Sequence, residues 1–252
     1  MTASQGPSKV PTAWQVAKPV PVSWMDQLRE LPADLSHGWI NQFLYMARLY
    51  DQIRNIPGDV VECGLGEGNT FAMMAYFIGR EGRQPPRALW GFDSFEGWPE
   101  PDLSDASPRK PTRGEWKVSE EMVLRRFEES GLSREFPGLN LRIAKGFVGD
   151  TLPSFSKDRH PIAFLHLDLD LYPGYHDALE YLFPLVVKGG LVLFDEYQEY
   201  HPELPDYVDK TGRLLEKWPG CSRAVNEYFV NRPEKPQYYA PTNKYFVLKE
   251  TD

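Results

Sequence analysis

The sequence predicts an α/β protein, a mostly parallel Rossmann-like sheet with helices on both faces, and three stretches carry that prediction. The first is an apolar run, Asp59-Val60-Val61-Glu62-Cys63, followed by Gly64-Leu65-Gly66-Glu67-Gly68-Asn69-Thr70 and an apolar helix from Phe71 to Gly79. Strand, glycine-rich turn and helix form the opening unit of nucleotide-binding α/β folds. The second is Ala88-Leu89-Trp90-Gly91-Phe92-Asp93, a strand that ends in an acid. The third is Pro161-Ile162-Ala163-Phe164-Leu165, a buried strand by its continuous apolar character, which runs into His166-Leu167-Asp168-Leu169-Asp170-Leu171-Tyr172.

Taken from the N-terminus, residues 1–35 are rich in Pro and Ser and read as an arm, whose Trp14, Val20, Val22 and Trp24 could clamp a partner subunit. From Ser36 to Asn55 the spacing of Trp39, Phe43, Leu44, Met46 and Leu49 is helical, with Ser36 as cap and Pro57-Gly58 as stop. The domain then occupies residues 36–252 without an obvious break. Residues 97–117 are rich in Pro, Asp, Lys and Arg without periodicity, and a loop of that length inside a domain reads as a lid or a disordered stretch. A charged helix follows from Ser119 to Ser130, a third strand from Leu139 to Gly146, and a turn with a short helix over Phe147 to Pro153. Beyond the central strand, Tyr175 to Val187 reads as a helix stopped by Lys188-Gly189-Gly190. Gly190 to Phe194 is the next strand, ending in a second acidic pair, Asp195-Glu196. Residues 197–211, which include Tyr197, Tyr200, His201 and Tyr207, make a second lid-like loop. Arg223 to Phe229 reads as the last helix, and Gln237 to Ala240 with Tyr245 to Leu248 as a closing antiparallel pair.

At 252 residues the chain suits one large α/β domain with appendages. Its net charge of −8 and the lack of a basic block argue against binding to nucleic acid or to a membrane surface. Cys63 and Cys221 are its two cysteines, so a disulfide framework or zinc site is not expected. The polar N-terminus lacks the apolar core of a signal peptide, and no run approaches a membrane span. The expectation is a cytoplasmic protein.

The chemistry concentrates in the acids. Side chains at i and i+2 of a strand share a face, which would aim Asp168 and Asp170 the same way. Adjacent carboxylates repel, and burying them requires a cation or a shared proton. If the strands before Asp168 and Asp195 are neighbours, three or four carboxylates meet at one sheet edge, a hard-cation or acid/base site. The bland readings are that Asp168 and Asp170 cap the next helix, and that His166 is a packed, hydrogen-bonded histidine instead of a base. Asp93 has the position of an acid that accepts bonds from ribose hydroxyls, or else caps its own turn. The glycine spacing is G-x-G-x-G, short of the dinucleotide G-x-G-x-x-G.

In this order, Val61-Glu62-Cys63-Gly64, Gly91-Phe92-Asp93-Ser94-Phe95-Glu96-Gly97, Asp150-Thr151-Leu152-Pro153, Leu165 to Tyr172, and Gly189-Gly190 to Asp195-Glu196-Tyr197 resemble the macrocin O-methyltransferase family over roughly residues 38–230. The resemblance implies a class I methyltransferase fold of seven strands with an antiparallel last strand. It also implies S-adenosyl-L-methionine and Mg2+ as cofactors, and methylation of a sugar hydroxyl on a glycosylated, antibiotic-type natural product. By the same resemblance Glu62, Cys63, Gly64, Gly66, Asn69, Thr70 and Asp168 would lie about the methionine part of the cofactor. Asp93 would take the ribose, and Ser94 with Phe147 would lie near the adenine. Asp168, Asp195 and Glu196 would ligate the metal, with Asp170 as the catalytic base; on the residues alone His166, which shares a strand face with Asp168, is the alternative base. The family pattern has Asp-Asp-Tyr where this chain has Asp195-Glu196-Tyr197, and Glu is one methylene longer. A catechol-type acceptor, a nicotinamide-dependent oxidoreductase or epimerase, and a non-catalytic binding protein are the rival readings. A homo-oligomer built through the N-terminal arm is the expected assembly.

Overall fold

A computed structural model of the chain describes residues 37–199, 218–239 and 244–251. The N-terminal arm, Ser36 and most of the loop at 197–211, including Tyr200, His201 and Tyr207, lie outside the described residues. In chain order the elements are α1 (His37–Gln52), β1 (Asp59–Cys63), α2 (Asn69–Glu81), β2 (Ala88–Asp93) and a 3-10 turn at Leu103–Asp105. There follow α3 (Glu120–Glu129), α4 (Leu132–Glu135), β3 (Asn140–Lys145), α5 (Val148–Lys157), β4 (Ile162–Leu167) and α6 (Tyr172–Leu182). After a 3-10 turn at Phe183–Leu185 come β5 (Val186–Phe194), α7 (Pro219–Phe229), β6 (Gln237–Tyr239) and β7 (Lys244–Leu248). Among the described residues, no helix is long and apolar enough to cross a membrane.

The seven strands are ordered β3-β2-β1-β4-β5-β7-β6. The first five are mutually parallel, and β7 is antiparallel both to β5 and to β6. Successive side chains of each central strand go to opposite faces, and both faces are buried. Val60, Phe164, Leu191 and Leu193 pack with Met46, Leu49, Phe71 and Met74 of α1 and α2. Val61, Leu165, Val192 and Phe194 pack with Leu152, Tyr175, Leu179 and Val225 of α5, α6 and α7. Continuous apolar runs, instead of alternating ones, follow directly from being covered twice.

Register decides where the chemistry goes. Cys63 pairs with Leu167, Leu167 with Phe194, and Cys63 with Phe92. The next residue of each strand, Gly64, Asp168, Asp195 and Asp93, therefore stands at one carboxyl edge. The order reverses direction between β1 and β4, the point at which open α/β sheets take their ligands. Three backbone bonds carry the strands over that edge: Asp168 N–H to Cys63 O and Asp195 N–H to Leu167 O, both 2.9 Å, and Gly64 N–H to Phe92 O, 2.8 Å.

The structure departs from the sequence reading in several elements. The helix after the central strand ends at Leu182, and Gly189-Gly190 lie inside β5, not at a helix stop. Pro184 lacks the N–H that a continuing helix would use, and Gly189 (φ +80°) kinks the strand while its own N–H bonds to Lys249 O at 2.8 Å. α5 continues through Pro153 to Lys157, and α7 begins at Pro219, four residues before Arg223. Proline suits that first helical position because its missing donor has no partner there anyway. The short α4 carries too few residues to show a period. Residues 97–117 are turns and a 3-10 helix, joined to the domain through Trp98 and Asp105.

Candidate active site

Asp168 and Asp170 do reach one place, by a different route from strand alternation. β4 stops at Leu167, and Asp170 turns back in a left-handed conformation, φ +59°. Among the described residues two sets of ligand atoms each lie within 4.8 Å of one another: His166, Asp168 and Asp195, and Asp168, Asp170 and Glu196. Asp168 belongs to both. The three ligands implied by the family resemblance therefore divide between two neighbouring sets.

Lys244 explains the division. The β5–β7 register pairs Phe194 with Tyr245, which sets Lys244 across from Asp195. Its ammonium donates to the Asp195 carboxylate at 2.6 Å and to the Asp195 carbonyl at 2.7 Å. Burial alone would raise the Asp195 carboxyl, but the Lys244 charge, followed by His166, holds it below the usual carboxylate range. Glu196 accepts from the Tyr175 hydroxyl and, at 3.3 Å, from the Asp170 N–H. The Tyr175 hydroxyl also lies 2.8 Å from Leu167 O, so α6 braces the end of β4 and the acid together.

Behind the acids, the His166 Nδ1 lies 3.1 Å from Glu62 Oε1, and the Thr70 hydroxyl donates to the same oxygen. Both Glu62 and His166 are fully buried. Burial pushes the Glu62 carboxyl up. For His166 burial acts downward, but the Glu62 carboxylate outweighs it and the imidazole is raised. His166 is thus the packed, hydrogen-bonded histidine, with its Nε2 4.0 Å from Asp195 Oδ1.

The charges of this cluster are unbalanced. Burial, then the charge of Asp195, pushes Asp168 up to about 7. Burial, then Asp168 and Asp170, pushes Glu196 well up, and acids buried this close together call for a shared proton or a cation. A divalent cation would take the place of such a proton. The fit is supported by a fully oxygen and imidazole donor set and by the buried His166 Nε2, which has no hydrogen-bond partner among the described residues. A folded-state pKa raised from 3.8 to about 7 means that the folded chain binds more protons than the unfolded chain across that window. Stability is then lost as pH rises through it. The melting temperature of chelator-treated protein should fall between about pH 5 and pH 8, and a divalent cation should restore more of it at the upper end. A cation-free melting temperature that rises over that range would contradict the shared-proton reading.

Next to the acids lies the glycine turn. Gly64 (φ +84°) has no room for a side chain, because a Cβ there would overlap the Asp168 carbonyl oxygen. Its glycine permits the close approach of two protein segments. Gly66 (φ +49°) is the opposite case, with nothing within 4 Å of a Cβ. Asp93 accepts Leu65 N–H at 2.8 Å on one oxygen and Phe95 N–H at 2.7 Å on the other. The carboxylate thus shapes the turn, and each oxygen keeps a second lone pair for a ribose hydroxyl. The buried Glu62 Oε2 has no partner among the described residues and is an acceptor suited to an ammonium donor.

Other expected contacts are differently employed. The Cys63 thiol is fully buried in the core, so only its backbone frames the site. The Ser94 hydroxyl is used within its own turn, accepting from Glu96 N–H and donating to Gly97 O, both at 3.0 Å. Asn69 accepts from Arg126 of α3. Phe147 is the residue that precedes α5. Lys244, Tyr175 and Trp98 escaped the sequence reading: the first needs the β5–β7 register, and the others sit in unremarkable helix and loop contexts.

The family model for macrocin O-methyltransferase (TylF) matches residues 45–209, more than half of the chain. The chain belongs to the macrocin O-methyltransferase family. Among this family's relatives, an 8-demethyl-8-(2,3-dimethoxy-alpha-L-rhamnosyl)-tetracenomycin-C 4'-O-methyltransferase of Streptomyces olivaceus is 35% identical over 147 residues, 56% of this chain and 54% of that protein. A demethyldecarbamoylnovobiocin O-methyltransferase of Streptomyces niveus is 35% identical over 163 residues, 62% of this chain and 58% of that protein. The chain therefore spans a little over half the length of these relatives. The crystal structure of a calicheamicin methyltransferase superposes with a TM-score of 0.72 at 24% identity, over 92% of this chain and 87% of that one. That of the O-methyltransferase NovP gives 0.65 at 25% identity, over 84% and 81%. Both have the fold described above, that of the class I O-methyltransferases.

Proposed function

We propose that this macrocin O-methyltransferase family member is an S-adenosylmethionine-dependent O-methyltransferase, assisted by a divalent cation of the Mg2+ type, that methylates a sugar hydroxyl of a glycosylated natural product. The observation that carries the reading is the convergence of Asp168, Asp170 and Glu196 within 4.8 Å at the carboxyl edge where the glycine turn also opens. The names of the relatives, which place them on glycosylated antibiotics, support the acceptor class.

In this reading Glu62 and the Gly66 backbone would hold the methionine portion of the cofactor, and Asp93 its ribose. When bound, S-adenosylmethionine supplies an electrophilic methyl group, so that a C–O bond forms to the acceptor as the C–S bond breaks. Asp168, Asp195 and Glu196 would hold the cation, with His166 and Asp170 beside them; when bound, the cation would lower the pKa of a coordinated hydroxyl and fix its orientation. Asp170 takes the hydroxyl proton. Holding the acceptor oxygen opposite the sulfonium is itself worth roughly 7–11 kcal/mol in favourable cases.

Calorimetric titration separates this from the oxidoreductase reading. S-adenosylmethionine should bind the purified chain, while NAD added as control should not. Binding of NAD, or of neither ligand, would contradict the proposal.

A further inference from the structure

We propose that Trp98 is a positioning residue for Asp170, and that the 97–117 segment is the strut that holds it there; the inference rests on the reading of Asp170 as the base. The indole Nε1–H of Trp98 donates to Asp170 Oδ2 at 2.9 Å. Asp170 needs such a hold. Its backbone is left-handed, φ +59°, and the acidic side chains of Asp168 and Glu196 crowd its carboxylate. A neutral donor is well matched to this task. A lysine or arginine in its place would fix the carboxylate but also stabilise its charge and lower its basicity, whereas an indole orients it with far less of that effect.

Trp98 is in turn tightly fixed, with 6% exposure. Its ring meets Trp218, which precedes α7, edge to face at 5.4 Å. The Arg109 guanidinium lies over both rings, 4.6 Å from Trp98 and 5.2 Å from Trp218, and pairs with Glu115 at 2.6 Å. The Trp98 N–H bonds to Glu115 O at 2.9 Å, and its carbonyl accepts from Gly114 at 3.0 Å. At the far side of the segment, Asp105 is buried and accepts from the Tyr172 N–H at 2.8 Å, two residues beyond Asp170. Gly220 on α7 has no Cβ where one would overlap the Asp105 carboxylate. The segment is therefore attached to the protein on both sides of the base, which gives a role to a stretch that carries no periodic pattern.

Two measurements decide the proposal. The first is the indole 1H–15N spectrum of the wild-type chain, assigned by triple-resonance experiments. The Trp98 N–H signal should lie downfield and move upfield in D170A; a signal indifferent to that change overturns the contact. The second is W98F, which keeps an aromatic ring and removes the donor. Methylation of a glycoside acceptor should fall roughly tenfold or more in kcat, with acceptor KM and S-adenosylmethionine affinity within about twofold of wild type, since a hydrogen bond to a charged group is worth about one such factor or two. Equal loss in KM and affinity, or an unchanged kcat, overturns the positioning role. If W98F does not fold, the spectrum alone decides the contact. Should the wild-type chain methylate no glycoside, the proposed function fails and takes the positioning role with it, while the indole signal still reports whether the contact exists.

Discussion

Asparagine at Asp170 should lower kcat for methyl transfer by about 10²–10⁴-fold, the range that a positioned general base contributes. The substitution is chosen to change little else. Asn tolerates the left-handed backbone that Asp170 adopts at φ +59°, and its side-chain oxygen can still accept from the Trp98 indole. The folded chain and its affinity for S-adenosylmethionine should therefore survive, and the loss should fall on kcat. An asparagine variant within about threefold of wild-type turnover would remove Asp170 from the chemistry and turn attention to His166. His166 is poorly placed to replace it: it is fully buried, and its Nδ1 is committed to Glu62.

The second large effect is on stability. Alanine at Gly64 should cost at least ~3 kcal/mol, because the new methyl group meets the Asp168 backbone carbonyl, which cannot rotate away, at a φ of +84° that already disfavours a side chain. On a domain of this size that corresponds to a fall of roughly 6–12 °C in melting temperature. Alanine at Gly66 is the control. Nothing lies within 4 Å of a Cβ there, so only the left-handed backbone is penalised, at about 1 kcal/mol. Thermal denaturation of the two variants should separate them clearly. Equal losses would mean that the approach of β1 to the end of β4 is not the tight contact described.

How much of this was legible in the sequence differs between elements for physical reasons. β1, β2 and β4 were readable because burial on both faces leaves continuous apolar runs, and the turn after β1 because its glycines are required by backbone conformation. The acids were found for the same reason: each follows the last apolar residue of its strand, and a parallel register brings such positions to one edge. What failed was local. Gly189-Gly190 looked like a helix stop because glycine serves both a C-terminal cap and a kinked strand, and only pairing with Lys249 tells them apart. The anchors of the 97–117 segment left no pattern because they are single residues, Trp98, Asp105 and Arg109, with partners far away in the chain. Lys244 could not be assigned to Asp195 without the antiparallel register of β7, since a lysine at the start of a strand is usually a solvated end. Side-chain function set by long-range register leaves no periodic trace.

The central claim is tested most directly by transfer of a labelled methyl group from S-adenosylmethionine to a panel of deoxysugar glycosides, with catechol as the competing acceptor. The reaction is run on chelator-treated protein and again after Mg2+ is restored. Label should appear on a glycoside hydroxyl, depend on the added cation, and stay below that level on catechol. Label on catechol alone, or transfer to a glycoside that proceeds equally well in chelator, would contradict the reading of Asp168, Asp170 and Glu196 as a cation-assisted site for sugar hydroxyls.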